Sequence, residues 1–158
     1  MAPMSGAGIA WRTVRGLVAT IGLAACSGAG GPTETTSTAT PAPDVAQLQG
    51  TWTVTSLQEA GETASPAPEG RFVADFGPDE DLDIQADCNV CSAAYSASDE
   101  GTLEVTGPIP CTLAYCSTAP LDTRFLALLE GASTWSIEAS ALQLSSTDGG
   151  ALLLQRRD

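Results

Sequence analysis

From residue 50 onward, apolar and polar positions fall into short runs: 50–57 (GTWTVTSL), 71–76 (RFVADF), 82–86 (LDIQA), 92–98, 102–107, 133–138 (STWSIE), 141–145 (ALQLS) and 151–155 (ALLLQ). Alternation with a period of two puts successive side chains on opposite faces, so these runs predict strands that bury one face. Clusters of Gly, Pro, Asp and Ser separate them and supply turns. One segment changes period. Pro120 stands near a start, Leu121, Phe125, Leu128 and Leu129 recur at i, i+4, i+7 and i+8, and Gly131 follows. That spacing predicts one amphipathic helix of about ten residues with a glycine stop, its apolar stripe suited to the lid or plug of a curved sheet. The expected fold is mainly β with one short helix (α+β), a small antiparallel curved sheet or partly closed barrel.

One hairpin can be placed in register. Ser98-Asp99-Glu100-Gly101-Thr102 reads as a three-residue loop whose Gly101 takes the left-handed position of a bulge. Ala97 then faces Leu103 and Tyr95 faces Val105 on one side, while Ser96 and Ser98 meet Glu104 and Thr102 on the other. Continued along the strands, this register sets Cys91 opposite Ile109, one diagonal step from Cys111, with Cys88 pointing the other way. Pro108 and Pro110 must disturb the ladder nearby, because proline donates no main-chain hydrogen bond.

The N-terminal segment has a different pattern. Arg12 and Arg15 form a positive flank, Leu17 to Ala25 (LVATIGLAA) is apolar, and small residues lead into Cys26. This is the layout of a secretory signal. Its apolar run is far short of the roughly 20 residues that a membrane-spanning helix needs. Leu23-Ala24-Ala25-Cys26 resembles a lipobox, so residues 1–25 are expected to be removed and Cys26 to carry the lipid. Several acyl chains on one cysteine would hold the protein on its membrane. Ser27 rather than Asp after that cysteine is expected to allow export to an outer membrane. Residues 27–46 (SGAGGPTETTSTATPAPDVA) have no aromatic residue and a single branched aliphatic, Val45. Such a composition cannot offset ordering entropy, and together with Cys26 the segment 26–46 reads as a lipidated tether spanning roughly 25 Å. Residues 47–158, with Trp52, Trp135, Phe72, Phe76, Phe125, Tyr95 and Tyr115, make one domain large enough for its own core.

Charge narrows the list of partners. The chain carries 19 acidic residues, all beyond the expected cleavage site, against Arg71, Arg124, Arg156 and Arg157, which gives the mature form a formal charge of −15. Nucleic acid and anionic lipid are poor partners for such a surface. The absence of His and Lys removes a Ser/His/Asp triad, a Cys/His pair, a Schiff-base lysine and a histidine-bound metal from the chemistry one chain can do. Paired carboxylates remain. The densest acidic stretch is Asp75, Asp79, Glu80, Asp81, Asp83 and Asp87, with positions 79, 81, 83, 85 and 87 on one side of a strand. It lacks the glycine and the distal glutamate of an EF-hand loop, and a solvated strand face is the simpler reading.

With Cys26 set aside, four cysteines remain: Cys88, Cys91, Cys111 and Cys116. An even number in an oxidising compartment implies two disulfides with three possible pairings. A redox reading of Cys88-Asn89-Val90-Cys91 lacks the βαβ context such motifs use. A four-thiolate zinc site would be oxidised outside the cytoplasm. The hairpin register favours Cys91 with Cys111 and Cys88 with Cys116. No cofactor and no metal site is expected.

Several segments, taken in order, resemble a known family. They are Gly50-Thr51-Trp52-Thr53-Val54, Cys88-Asn89, Thr112-Leu113-Ala114-Tyr115-Cys116, the helix around Phe125-Leu126-Ala127-Leu128-Leu129, and the terminal Leu142-Gln143-Leu144, Asp148-Gly149 and Leu152-Leu153-Leu154. Together they resemble the META domain of HslJ-like lipoproteins over nearly all of 48–156. The resemblance implies a compact, mostly β domain with one helix, of a kind found on heat- or stress-associated envelope lipoproteins. It implies neither an enzymatic activity nor a ligand. A glycine usual before the Cys-Asn pair is Asp87 here, and Cys91 with Cys111 looks like an added pair. The expected function is that of a non-enzymatic, lipid-anchored extracytoplasmic protein acting by contact with another envelope protein in stress tolerance or envelope maintenance. The alternative is a small-ligand-binding module in the mouth of the curved sheet, and a carboxylate hydrolase is a third reading.

Overall fold

The computed structural model describes residues 43–157 apart from Ala119. The expected signal segment 1–25, the expected lipid site Cys26 and the expected tether through residue 42 lie outside the described residues. In chain order the elements are α1 (Val45–Leu48), β1 (Gly50–Gln58), β2 (Ser65–Pro66), β3 (Phe72–Phe76), β4 (Asp81–Ala86), β5 (Asn89–Ala97), β6 (Leu103–Thr106), α2 (Leu121–Glu130), β7 (Ala132–Glu138), β8 (Ala141–Ser146) and β9 (Ala151–Arg156). The eight longer strands are those the alternation predicts. In β4 the pattern is unbroken: Leu82, Ile84 and Ala86 are buried while Asp81, Asp83 and Gln85 are exposed.

Among the described residues, nine antiparallel strands form one sheet in the order β6-β5-β4-β3-β1-β9-β8-β7, with β2 alongside the far half of β1. Two meanders, β3 to β6 and β7 to β9, flank β1, which pairs with β3 on one side and β9 on the other. The sheet curls until its ends meet. Thr102 bridges to Thr134, and the Trp135 main-chain N–H donates to the Gly101 carbonyl at 2.8 Å. The result is a nearly closed barrel, the closed form of the expected curved sheet, which leaves little sheet edge unpaired.

Side chains fill the barrel. Trp52, Phe72, Phe76, Leu82, Leu142, Leu144, Leu152 and Leu154 are all essentially inaccessible. α2 connects β6 to β7 and so lies across the end where β6 finishes and β7 begins. It buries Phe125 and Leu129, with the Phe125 ring 5.3 Å from that of Phe72. This is the plug that the helical stripe predicts. At the opposite end, where β1 begins, Leu48 of α1 is buried and its carbonyl accepts from Trp52 Nε1 at 2.7 Å. Arg156 lies with its guanidinium carbon 4.4 Å from the centre of the Trp52 ring and donates to the Gln49 carbonyl at 3.0 Å.

Two local features differ from the sequence reading. Asp44 caps α1 by accepting from the Ala46 N–H, and the Val45 N–H donates to Asp99 Oδ1, both at 2.9 Å. Regular structure therefore begins before the expected boundary at residue 47. The elements α1 and β2 are four and two residues long, too short to show a period. Gly131 is the stop that the sequence predicts, and it closes α2 with a right-handed φ of −82°. β7 starts at the next residue, and a Cβ at Gly131 would sit 3.2 Å from the Ala127 carbonyl oxygen.

Candidate interaction surface

The β5–β6 hairpin has the expected register, with Ala97 opposite Leu103, Ser96 opposite Glu104 and Tyr95 opposite Val105. Gly101 takes φ +83°, and the Ser98 N–H donates to the Thr102 carbonyl at 3.1 Å. Beyond Ala94–Thr106 the reading fails by two residues. Cys91 stands directly opposite Cys111, not Ile109. Gly107, at φ +73°, turns the chain outward, and Pro108 and Pro110 have no N–H to pair. When pairing resumes, two additional residues have been consumed on that side. The Thr112 N–H then donates to the Val90 carbonyl at 3.0 Å and the Ser92 N–H to the Pro110 carbonyl at 3.3 Å. Cys91 and Cys111 thus form a non-hydrogen-bonded antiparallel pair, the closer of the two kinds, and their Cα atoms are 4.1 Å apart. A disulfide joins them. A second disulfide joins Cys88 to Cys116, with Cα atoms 5.6 Å apart.

Between the two bridges the chain is held by Asn89. Its Oδ1 accepts from the Ala114 N–H at 2.8 Å and from Thr112 Oγ1 at 3.1 Å, and its Nδ2 donates to the Ala114 carbonyl at 3.2 Å. Asn89 is buried, so these bonds also satisfy an amide that would be costly to leave unpaired. Asp87 secures the far end of the segment. Only 2% exposed, its carboxylate accepts from the Thr118 N–H at 3.1 Å, from Thr118 Oγ1 at 2.5 Å and from Arg71 Nη1 at 2.5 Å. The Thr118 hydroxyl bond, with the Thr118 N–H and Arg71 added, outweighs burial and holds the carboxyl below its ordinary titration range. Asp87 has φ +58° in a two-residue loop between the paired Ala86 and Asn89. That is the first position of a hairpin turn normally filled by glycine, and Asp is among the residues that tolerate it.

What this scaffold presents is apolar. Leu113 is 100% exposed and Tyr115 99% exposed, and Val90 stands out from the adjoining strand. Tyr115 is therefore not a core aromatic, as its composition class suggests; it lies between two anchored cysteines on the outside. The neighbouring sheet face holds an open groove of about 430 Å³ lined by Asp83, Val90, Ser92, Pro110 and Thr112. The cysteine spacing was the available signal. Two bridges only 3 and 5 residues apart at their ends mean a segment held far more firmly than its burial requires.

The acidic stretch does not converge. Asp75 and Asp83 are cross-strand neighbours on an open sheet face, Asp79 lies outside β4, and Asp87 is turned into its contacts with Thr118 and Arg71. Among the described residues no three Cys, Asp or Glu side chains are grouped so as to hold a metal ion. An open groove of about 510 Å³ beside α2 contains Arg124, Leu128 and Asp148, but Arg124 is paired with Glu59 at 2.7 Å.

Residues 46–158 match the family model of the META domain. The chain belongs to the META domain family. Its META domain is similar in fold to a protein from Burkholderia xenovorans whose structure was determined by NMR, with 18% identity, a TM-score of 0.60, and coverage of 81% of this chain and 97% of that one. It is also similar to a DUF4847 family protein from Bacteroides vulgatus, a crystal structure, at 13% identity and a TM-score of 0.51 over 69% of this chain and 93% of that one. At these identities the likeness concerns the fold. No curated protein matches the chain in sequence.

Proposed function

We propose that this META domain protein is a non-enzymatic, lipid-anchored component of the cell envelope that works by protein contact through the segment between Cys111 and Cys116. The observation that carries this reading is the near-complete exposure of Leu113 and Tyr115 on a segment held by two disulfides and by Asn89. Exposed apolar side chains on a pre-ordered backbone lower the entropic cost of association, and tyrosine is enriched at the centres of interfaces. Two disulfides fit an oxidising, extracytoplasmic location. The Cys26 motif supplies the anchor, with the membrane as one partner and an envelope protein as the other, and envelope maintenance under stress is the process the family resemblance implies. The ligand-binding alternative loses support because the barrel is filled and both ends are covered by helices.

Two measurements test the proposal. Intact mass of the membrane-fraction protein should show a chain beginning at lipid-modified Cys26, and Cys26→Ala should abolish that species. Leu113→Ser with Tyr115→Ser should leave the melting temperature unchanged, since neither side chain is buried, yet match a deletion strain in survival of envelope stress. A double variant that protects as well as wild type where the deletion fails would sink the contact reading.

A further inference from the structure

The segment Cys111–Tyr115 is an extended edge with one side paired and one side open. Even-numbered residues bond inward: Thr112 to Val90, and Ala114 to the side-chain amide of Asn89, the first residue of β5, which takes the place of a neighbouring main chain. In such a geometry the main-chain groups of the odd-numbered residues point the other way. Among the described residues, the N–H and C=O of Cys111, Leu113 and Tyr115 have no hydrogen-bond partner. The exposure of Leu113 and Tyr115 extends to their main chain, so this edge is open to another strand.

We propose that the edge pairs with the same edge of a second copy, in antiparallel register about Leu113. The open groups form a self-complementary set, because residues 111, 113 and 115 of one copy oppose 115, 113 and 111 of the other. Each of these is a hydrogen-bonded pair of the antiparallel ladder. A two-fold axis through the 113–113 pair makes the contact isologous, so it closes at a dimer instead of propagating. Charge favours a self-partner at this place. A chain with formal charge −13 should repel its own copy, yet residues 105–121 form the longest run without a charged side chain among the described residues. The contact therefore brings no like charges directly together, while the acidic remainder of each copy stays apart and is screened beyond about 8 Å at physiological salt. The two disulfides hold the edge extended before pairing, and the Leu113 and Tyr115 side chains cover the added ladder. The contact is small and belongs to the weak class below about 1,200 Å², which suits proteins confined to one surface.

This inference rests on the contact reading above and names its partner. It is tested in the full chain, expressed in cells with two different epitope tags and a photoreactive benzoylphenylalanine at Tyr115. Irradiation should give an adduct of twice the chain mass carrying both tags. The same probe at Val90, on a strand already paired on both sides, should give at least ten-fold less of it. Leu113→Glu in both copies should reduce the adduct about ten-fold by placing two carboxylates on the axis, and co-expression of Leu113→Glu with Leu113→Lys should restore it. Non-reducing peptide maps showing both disulfides intact establish that each variant is folded. An adduct only to a different polypeptide overturns the second-copy proposal and leaves the contact reading standing. No adduct from position 115 overturns both. A two-tag adduct that is indifferent to Leu113→Glu also overturns the register.

Discussion

The Asp87 carboxylate takes both the N–H and the hydroxyl of Thr118, at 3.1 and 2.5 Å, across a sequence separation of 31 residues. One buried turn residue thereby fixes the far end of the disulfide-bearing segment to the mouth of the β4–β5 hairpin. The contact depends on ionisation, since a protonated carboxyl loses acceptor strength toward three donors at once.

A pH dependence follows. The folded-state value of Asp87 lies below the ordinary 3.8, so its contribution to stability is fully present above that value and is lost as pH falls through the depressed one. Thermal melts between pH 5 and pH 2 should show wild-type stability falling more steeply than that of Asp87→Asn. The two curves should converge at the acid end. Parallel curves would mean that Asp87 carries no linked proton. Asp87→Gly should melt above Asp87→Ala, because glycine relieves the φ of +58° while both variants lose the carboxylate.

The bridges should differ in weight. Cys88–Cys116 spans 28 residues and Cys91–Cys111 spans 20, and chain entropy assigns each about 3–4 kcal/mol. The inner bridge crosses a ladder that is also held by Thr112–Val90 and Ser92–Pro110 bonds. Past Ala114 the outer one is assisted by the Asp87–Thr118 bonds and by the Cys88 N–H and Asn89 Nδ2, which donate to Cys116 Sγ at 3.3 and 3.1 Å and so rest on the bridge sulfur itself. Cys88→Ser with Cys116→Ser should therefore lower the melting temperature more than Cys91→Ser with Cys111→Ser. The reverse order would show that the edge strand depends on the inner staple.

Asn89 is the third test. Asn89→Leu removes a buried amide together with its bonds to Thr112 and Ala114, leaving the Ala114 main-chain groups without partners, and should cost about 2–3 kcal/mol by urea unfolding. Native-state proteolysis should then cut beside Tyr115 faster than in wild type. A variant destabilised but equally resistant would assign Asn89 to the core and not to the edge.

How much of this was visible in the sequence depended on the period of each element. Eight strands and α2 repeat their pattern often enough to be read, and Gly101 fixed the hairpin because its loop length and left-handed residue leave one register. The register was lost where Pro108 and Pro110 replaced pairing donors with none, and no side-chain pattern records how many residues a bulge consumes. Tyr115 was misplaced for a related reason. An aromatic between two cysteines has the composition of a core position, and only the alternation of inward bonds at Thr112 and Ala114 shows which way the odd residues face.

Gly101 also decides whether the barrel closes. Its φ of +83° is one that side chains rarely adopt, and a Cβ there would lie 2.9 Å from the Trp135 carbonyl oxygen. That carbonyl belongs to β7, whose Trp135 N–H donates to the Gly101 carbonyl at 2.8 Å and whose indole Nε1 donates to the Ser98 carbonyl at 3.2 Å. Gly101→Ala must therefore strain the hairpin and push β7 away from the seam. The backbone term alone is worth about 1–2 kcal/mol, and displacement of the strand adds to it. The loss should exceed that of Gly149→Ala, where φ is also positive, at +96°, but a Cβ meets nothing within 4 Å. Hydrogen exchange should localise the effect, with the Trp135 amide losing protection in Gly101→Ala and keeping it in Gly149→Ala. Equal destabilisation by the two substitutions, with Trp135 protected in both, would mean that the contact at Gly101 does not hold the seam shut.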